Sequence, residues 1–183
     1  MKQILFIVGS RREGSYNRQL AAEAEKLVEG RAEVRYLDFR DMPQMDQNIE
    51  YPAPEAVTRV RKAVAEADAL WVFSPEYNAS YPGVVKNLFD WLSRPLVPND
   101  HSVPTVIAGK KITLSGVGGN AATARCRAKL GDLLTFIRAD VMTEPQTGIA
   151  LDAEGWITGK LVLTEGQRDA LRAQTDSFFK FIA

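Results

Sequence analysis

The chain has 183 residues, and its 23 basic and 23 acidic side chains cancel to a formal net charge of zero. That length suits one domain with a buried core, and the charge balance argues against nucleic acid or an anionic membrane as partner while leaving room for anionic ligands. The single cysteine, Cys126, has no internal disulfide partner and fits a reducing, cytoplasmic setting.

Residues 4–8 (ILFIV) are a continuous β-prone run, as expected of a strand buried on both faces. The run is far too short to cross a membrane, and no signal-peptide cleavage pattern follows it. Residues 9–15 are polar and flanked by glycine, which marks a loop. From Asn17 the apolar residues Leu20, Ala21, Ala24, Leu27 and Val28 recur at helical spacing, and Gly30 ends that helix. A shorter second strand is predicted over 34–39. Pro43, Pro52 and Pro54 keep 41–54 a loop before a second helix over 55–67. Arg59, Arg61 and Lys62 fall on what reads as its solvated face.

Residues 69–73 (ALWVF) form a third buried strand, broken at Ser74-Pro75. A polar loop runs to Pro82, and a helix follows over 83–93, where Phe89 and Trp91 are expected to serve packing or a subunit contact. A proline-containing connection over 94–104 holds the one histidine, His101, read as a solvated loop residue. A fourth strand spans 111–115, a flexible loop 116–119 and a long helix 121–137. Val141 and Met142 start a short fifth strand. Residues 151–160 read as irregular, with a turn over 152–155, and Thr164 caps a last helix ending near Ile182.

Strands and helices alternate five times, the signature of a doubly wound α/β sheet. The expected fold is a single flavodoxin-like domain over 1–183: a five-stranded parallel sheet in the order 2-1-3-4-5, with helices on both faces. Its ligand crevice lies at the carboxyl ends of the first and third strands, where the strand order reverses. Residues 9–15 and 75–80 occupy those two ends.

The first of these loops carries Ser10, Arg12, Ser15 and Asn17 between Gly9 and the first helix. Hydroxyl and amide donors, the unpaired N–H groups of a helix start and a forked guanidinium together suit a phosphate. A nucleotide-hydrolase loop needs lysine followed by serine or threonine after the second glycine, where Ser15-Tyr16 stands instead. A dinucleotide fingerprint needs a second glycine that Gly9-Ser10-Arg11 lacks. A monophosphate site without metal remains. Cys126 lies between Arg125 and Arg127, which could lower its thiol pKa; the simpler reading is a buried, inert cysteine.

After the third strand, Pro75, Glu76, Tyr77 and Asn78 offer a stiffened backbone, an aromatic face and polar groups suited to a flat heteroaromatic ring. After the fourth strand, Ser115, Gly116, Val117, Gly118 and Gly119 offer close backbone approach and N–H groups that favour negative charge.

In these residues the chain resembles the NADPH-dependent FMN reductase family, which includes quinone, chromate and azo-dye reductases. The resemblance rests on Gly9-Ser10, Arg12, Ser15 and Asn17; on Pro75-Glu76-Tyr77-Asn78 with Ser80, Pro82-Gly83, Lys86-Asn87 and Asp90-Trp91; and on Ser115 with Gly118-Gly119. It implies FMN, its phosphate on Ser10, Arg12, Ser15, Tyr16 and Asn17 and its ring against residues 75–78 and 115–119. It also implies NAD(P)H as electron donor, a small-molecule acceptor (quinone, azo compound, chromate or free flavin) and a homodimer or homotetramer. The flavin carries such chemistry, so no catalytic side chain is named. The rival reading is a flavodoxin-type electron carrier, although such carriers are usually acidic and this chain is neutral. The tail beyond Pro145 carries no matching motif.

Overall fold

In a computed structural model describing residues 1–183, a parallel sheet forms the centre of the molecule. Its strands are β1 (Lys2–Val8), β2 (Ala32–Tyr36), β3 (Ala69–Phe73), β4 (Lys111–Gly118), β5 (Asp140–Val141) and β6 (Thr147–Ala150). The helices are α1 (Tyr16–Val28), α2 (Glu55–Glu66), α3 (Gly83–Leu92), α4 (Ala124–Phe136), α5 (Ala153–Thr158) and α6 (Glu165–Phe181). The order β2-β1-β3-β4-β5 is the expected one.

Apolar residues alternate across the sheet as the pleat requires. Leu5, Ile7, Leu70, Val72 and Leu114 face one side, under Val57 and Val60 of α2, Leu88 of α3 and Leu130 of α4. Ile4, Phe6, Trp71 and Phe73 face the other, under Leu20 and Ala24 of α1 and Leu171 and Phe178 of α6. Phe89 and Trp91 belong to the first of these cores, and the Trp91 indole N–H donates to the carbonyl of Pro43. They therefore add nothing to an intersubunit surface. Arg61 is also buried, at 7% exposure, and donates to the carbonyl of Trp91 rather than facing water as expected.

Five further expectations change. Gly116–Gly118 is strand, not flexible loop, because β6 pairs in parallel with residues 115–118. Two glycines, Gly116 and Gly148, face each other in that ladder because neither site has room for a side chain. A Cβ on Gly116 would lie 2.3 Å from the carbonyl oxygen of Ser74, and one on Gly148 2.1 Å from that of Ala122. The sheet consequently has six strands, not five: β5 pairs with the start of β4 and β6 with its end. Helix α4 begins at Ala124 rather than 121, since Ala122 and Thr123 hold left-handed φ values of 46° and 58°. The tail also holds a short helix, α5, where irregular chain was expected; β2 lies at 32–36, paired with residues 2–6 of β1.

Helix α6 is joined to the sheet by one buried amide. Gln174 accepts from the Thr147 N–H (2.8 Å) and the Ser115 hydroxyl (2.9 Å), and donates to Thr113 Oγ1 (2.8 Å) and the Leu114 carbonyl (2.9 Å). All its hydrogen-bonding groups are engaged and it has no solvent exposure. Gln174→Ala leaves several buried groups unpaired, and we expect it to lower unfolding free energy by about 3 kcal/mol in urea titration. A loss below about 0.5 kcal/mol, the scale of an ordinary surface substitution, would contradict this role.

Candidate functional site

At the end of β1 the chain leaves the sheet through Gly9, whose N–H donates to the Phe73 carbonyl (2.8 Å). A Cβ there would lie 2.6 Å from Val85 Cγ2, so only glycine passes between β3 and α3. The loop then curls into α1. Ser15 is the N-cap: its Oγ accepts from the Arg18 N–H, and its own N–H donates to the Arg12 carbonyl (3.2 Å). The backbone N–H groups of Ser10, Arg11, Arg12, Tyr16 and Asn17 have no partner within the protein. These five unpaired donors at a helix start, to which the likewise unpaired N–H groups of Glu13 and Gly14 add, suit an anion, and the first helical turn carries no acidic side chain. The guanidinium of Arg12 lies 4.5 Å from the Tyr16 ring centroid and donates to the Gly14 carbonyl, which leaves it exposed with further donors.

Two loop residues have structural tasks as well. Asn17, only 3% exposed, donates to the Val117 carbonyl (3.1 Å) and accepts from the Val117 N–H (3.0 Å). That pair of bonds engages its side-chain amide, so the group it offers an anion is its backbone N–H. The Tyr16 hydroxyl donates to the Gly155 carbonyl (2.8 Å), and its ring meets Trp156 edge-on at 5.7 Å. Gln19 donates to the Gly159 carbonyl and accepts from the Leu161 N–H. The tail, which carries no readable motif, is thereby fastened beside the anion loop. No spacing within it could have revealed this, because the tail meets these side chains mostly through its backbone.

The loop after β3 is a tight turn. Tyr77 and Ser80 exchange both backbone hydrogen bonds, and Asn78 and Ala79 hold positive φ between them. An alanine at a φ of 57° is strained by roughly 1–3 kcal/mol. Tyr77 stands 53% exposed, an open aromatic face at the sheet end. The Glu76 carboxylate is turned away from that face: it accepts from the Cys126 N–H (2.9 Å) in the first turn of α4. Thr123, the residue before α4, makes no capping bond of its own, so Glu76 takes the N-terminal position that a negative charge favours.

The third segment differs most from expectation, because Ser115–Gly118 is strand. Ser115 has no exposure, and its hydroxyl lies between the Trp71 indole N–H (2.9 Å) and Gln174. Its carbonyl accepts from the Ser74 N–H (2.9 Å), so Ser115 belongs to the core and offers no side-chain group to a ring. Gly116 and Gly118 are packed against Thr123. Val117 is buried, with both backbone polar groups on Asn17. Only Gly119, with open space around its Cα, and Asn120 present unpaired N–H groups toward solvent, as Glu76 and Asn78 do in the facing turn.

These features fit a flat, anionic ligand with a phosphate tail: an amide cradle for the phosphate, an exposed aromatic face and two facing turns with unpaired donors. His101 lies away from them in an exposed loop.

A sequence model of the NADPH-dependent FMN reductase family matches residues 2–154. The chain is 31% identical over 185 residues to a quinone reductase of Escherichia coli strain K12, covering 98% of this chain and 95% of that one. It is 28% identical over 181 residues to a 2-hydroxy-1,4-benzoquinone reductase of a Burkholderia species, covering 98% and 96%. Among solved structures, the flavoenzyme NAD(P)H:(acceptor) oxidoreductase FerB of Paracoccus denitrificans superposes with a TM-score of 0.86 at 32% identity, covering all of this chain and 97% of that one.

Cys126 tests the local electrostatics. Burial pushes its thiol pKa up, and the Glu76 carboxylate acts the same way; the hydrogen bond to Ser74 and the charge of Arg127 oppose them without prevailing. The flanking arginines therefore do not activate it. A thiol reagent at pH 8 is expected to label the unfolded chain quickly and the native protein at least tenfold more slowly. Equal rates would show an accessible thiolate.

Proposed function

The chain belongs to the NADPH-dependent FMN reductase family, and we propose that it carries electrons from a reduced nicotinamide through FMN to quinones and related small acceptors. The observation that carries this reading is the cradle of five unpaired amides at the start of α1, beside an exposed aromatic turn. Ser10, Arg12, Ser15, Tyr16 and Asn17 hold the phosphate, chiefly through backbone N–H groups and the Arg12 fork. Pro75, Glu76, Tyr77 and Asn78 form one wall for the ring, with Glu76 acting through its backbone. Gly119 and Asn120 form the facing turn.

Bound FMN supplies the acceptance and release of a hydride equivalent. The protein's share is positional. The amide cradle fixes one end of the cofactor and Tyr77 presents a flat surface at the other. The unpaired N–H groups of Gly119 and Asn120 add a positive field near the ring's polar edge. No side chain of the site has to donate or remove a proton. The whole chain acts as one FMN-binding domain, on which donor and acceptor use one face in turn.

Phe136, Ile157 and Val162 stand at least 75% exposed and support assembly into a homodimer or homotetramer. No helix is long and apolar enough to cross a membrane. The lone thiol supports a reducing compartment such as the cytoplasm.

The test is kinetic and spectroscopic. The purified protein is expected to show flavin absorbance, to scatter light as more than one chain, and to oxidise NAD(P)H with benzoquinone. Initial rates at several quinone concentrations should give parallel double-reciprocal lines. A colourless protein inert toward NAD(P)H would contradict the reading, and intersecting lines would contradict the shared face.

A further inference from the structure

The tail segment beside the anion loop is anchored at both ends. Leu151 and Leu163 are buried in the core beneath α1 and α6, and α5 lies between them. Asp152 caps α5 by accepting from the Gly155 N–H (2.7 Å). Gly155 packs on Leu151 so closely that a Cβ there would lie 2.7 Å from Leu151 Cδ1. This packing presents the Gly155 carbonyl to the Tyr16 hydroxyl. Trp156, the next residue, meets the Tyr16 ring with the two planes at 82°. Trp156 is itself 57% exposed, so the core does not depend on it.

Tyr16 in turn carries Arg12. The guanidinium lies over the Tyr16 ring and gives one N–H to the Gly14 carbonyl (3.0 Å), which leaves further donors for an anion. Arg11, one residue earlier in the same loop, has no side-chain hydrogen bond, ion pair or aromatic contact. The contacts therefore run from Trp156 through Tyr16 to Arg12 alone. An arginine free in water loses rotamer entropy when an anion captures it, whereas one already laid on a fixed ring loses less.

FMN and riboflavin differ only in the phosphate. We propose that Trp156 is a positioning residue for that phosphate: through the Tyr16 ring it holds the Arg12 fork ready beside the amide cradle, and so strengthens the preference for FMN over riboflavin. The inference rests on the FMN reading above.

The experiment titrates FMN and riboflavin into full-length apoprotein and follows flavin fluorescence. It compares the native sequence with Trp156→Ala, Trp156→Phe, Arg12→Ala and the combined Trp156→Ala and Arg12→Ala variant. Trp156→Ala is expected to weaken FMN about fivefold, the scale of ordering one long side chain on binding, and to leave riboflavin within about twofold. Trp156→Phe should recover most of the loss, because a ring still meets Tyr16. In the Arg12→Ala background the Trp156 substitution should add nothing, since the side chain it positions is gone. A Trp156 that merely braced the loop backbone would keep its full effect in that background and would overturn the proposal, as would equal losses for the two flavins. The side-chain Nε–H signal of Arg12 in nitrogen-labelled apoprotein gives a readout free of flavin. It should carry an upfield shift from the Tyr16 ring that Trp156→Ala reduces, and an unchanged signal would equally overturn the proposal. A native protein that binds neither flavin contradicts the FMN reading instead, and the Arg12 signal still decides the positioning.

Discussion

Beyond Phe73 the strand β3 ends, while its neighbour β4 continues to Gly118. The Ser74 N–H still reaches the Ser115 carbonyl, but the next backbone pair on that edge of β4, at Val117, has no strand on the β3 side. A buried N–H and C=O left there would be costly. The Asn17 side-chain amide takes the place of the missing strand, with one donor and one acceptor bond to the same residue. That pair of hydrogen bonds fixes the first turn of α1 over the sheet end. The direction of the free amides, the position of the Ser15 cap and the approach of the tail all follow from it.

A second clamp works from below. Gln174 joins α6 to β4 and β6, and so fixes the strand extension on which Val117 sits. The two amides act on opposite sides of the same few residues. Between them, three glycines allow close packing, against the Val85 side chain at the end of β1 and of backbone on backbone in the β4–β6 ladder. The proposed site is consequently held in place at the start of α1 and open where it presents Tyr77. This division suits a reaction in which a retained group is met by successive small partners.

Much of this was legible in the sequence, and what was missed shares one cause. The runs ILFIV and ALWVF are continuous apolar stretches that only a doubly covered strand explains, and both are strands in register. The loop from Gly9 to Asn17 was readable because its donors are close in sequence and feed a helix start. Ser115 was misplaced, and Gly116–Gly118 read as loop, because glycine normally interrupts strands, whereas here it permits the Gly116–Gly148 pairing. Arg61 was assigned to a solvated face because its partner, the Trp91 carbonyl, lies thirty residues away. Glu76 points to α4 for a similarly non-local reason: Thr123 supplies no cap. Local patterns carried the elements, and long-range backbone partners decided the side chains.

The central claim is that five backbone amides, aimed by the Asn17 clamp, hold the cofactor's phosphate. Nuclear magnetic resonance of nitrogen-labelled apoprotein tests it most directly, by titration with FMN and, separately, with riboflavin. The account requires the amide signals of Ser10, Arg11, Arg12, Tyr16 and Asn17 to shift strongly with FMN and little with riboflavin, with those of Gly119 and Asn120 moving for both. If FMN binds and those five signals stay where they were, the phosphate lies elsewhere and the account is wrong.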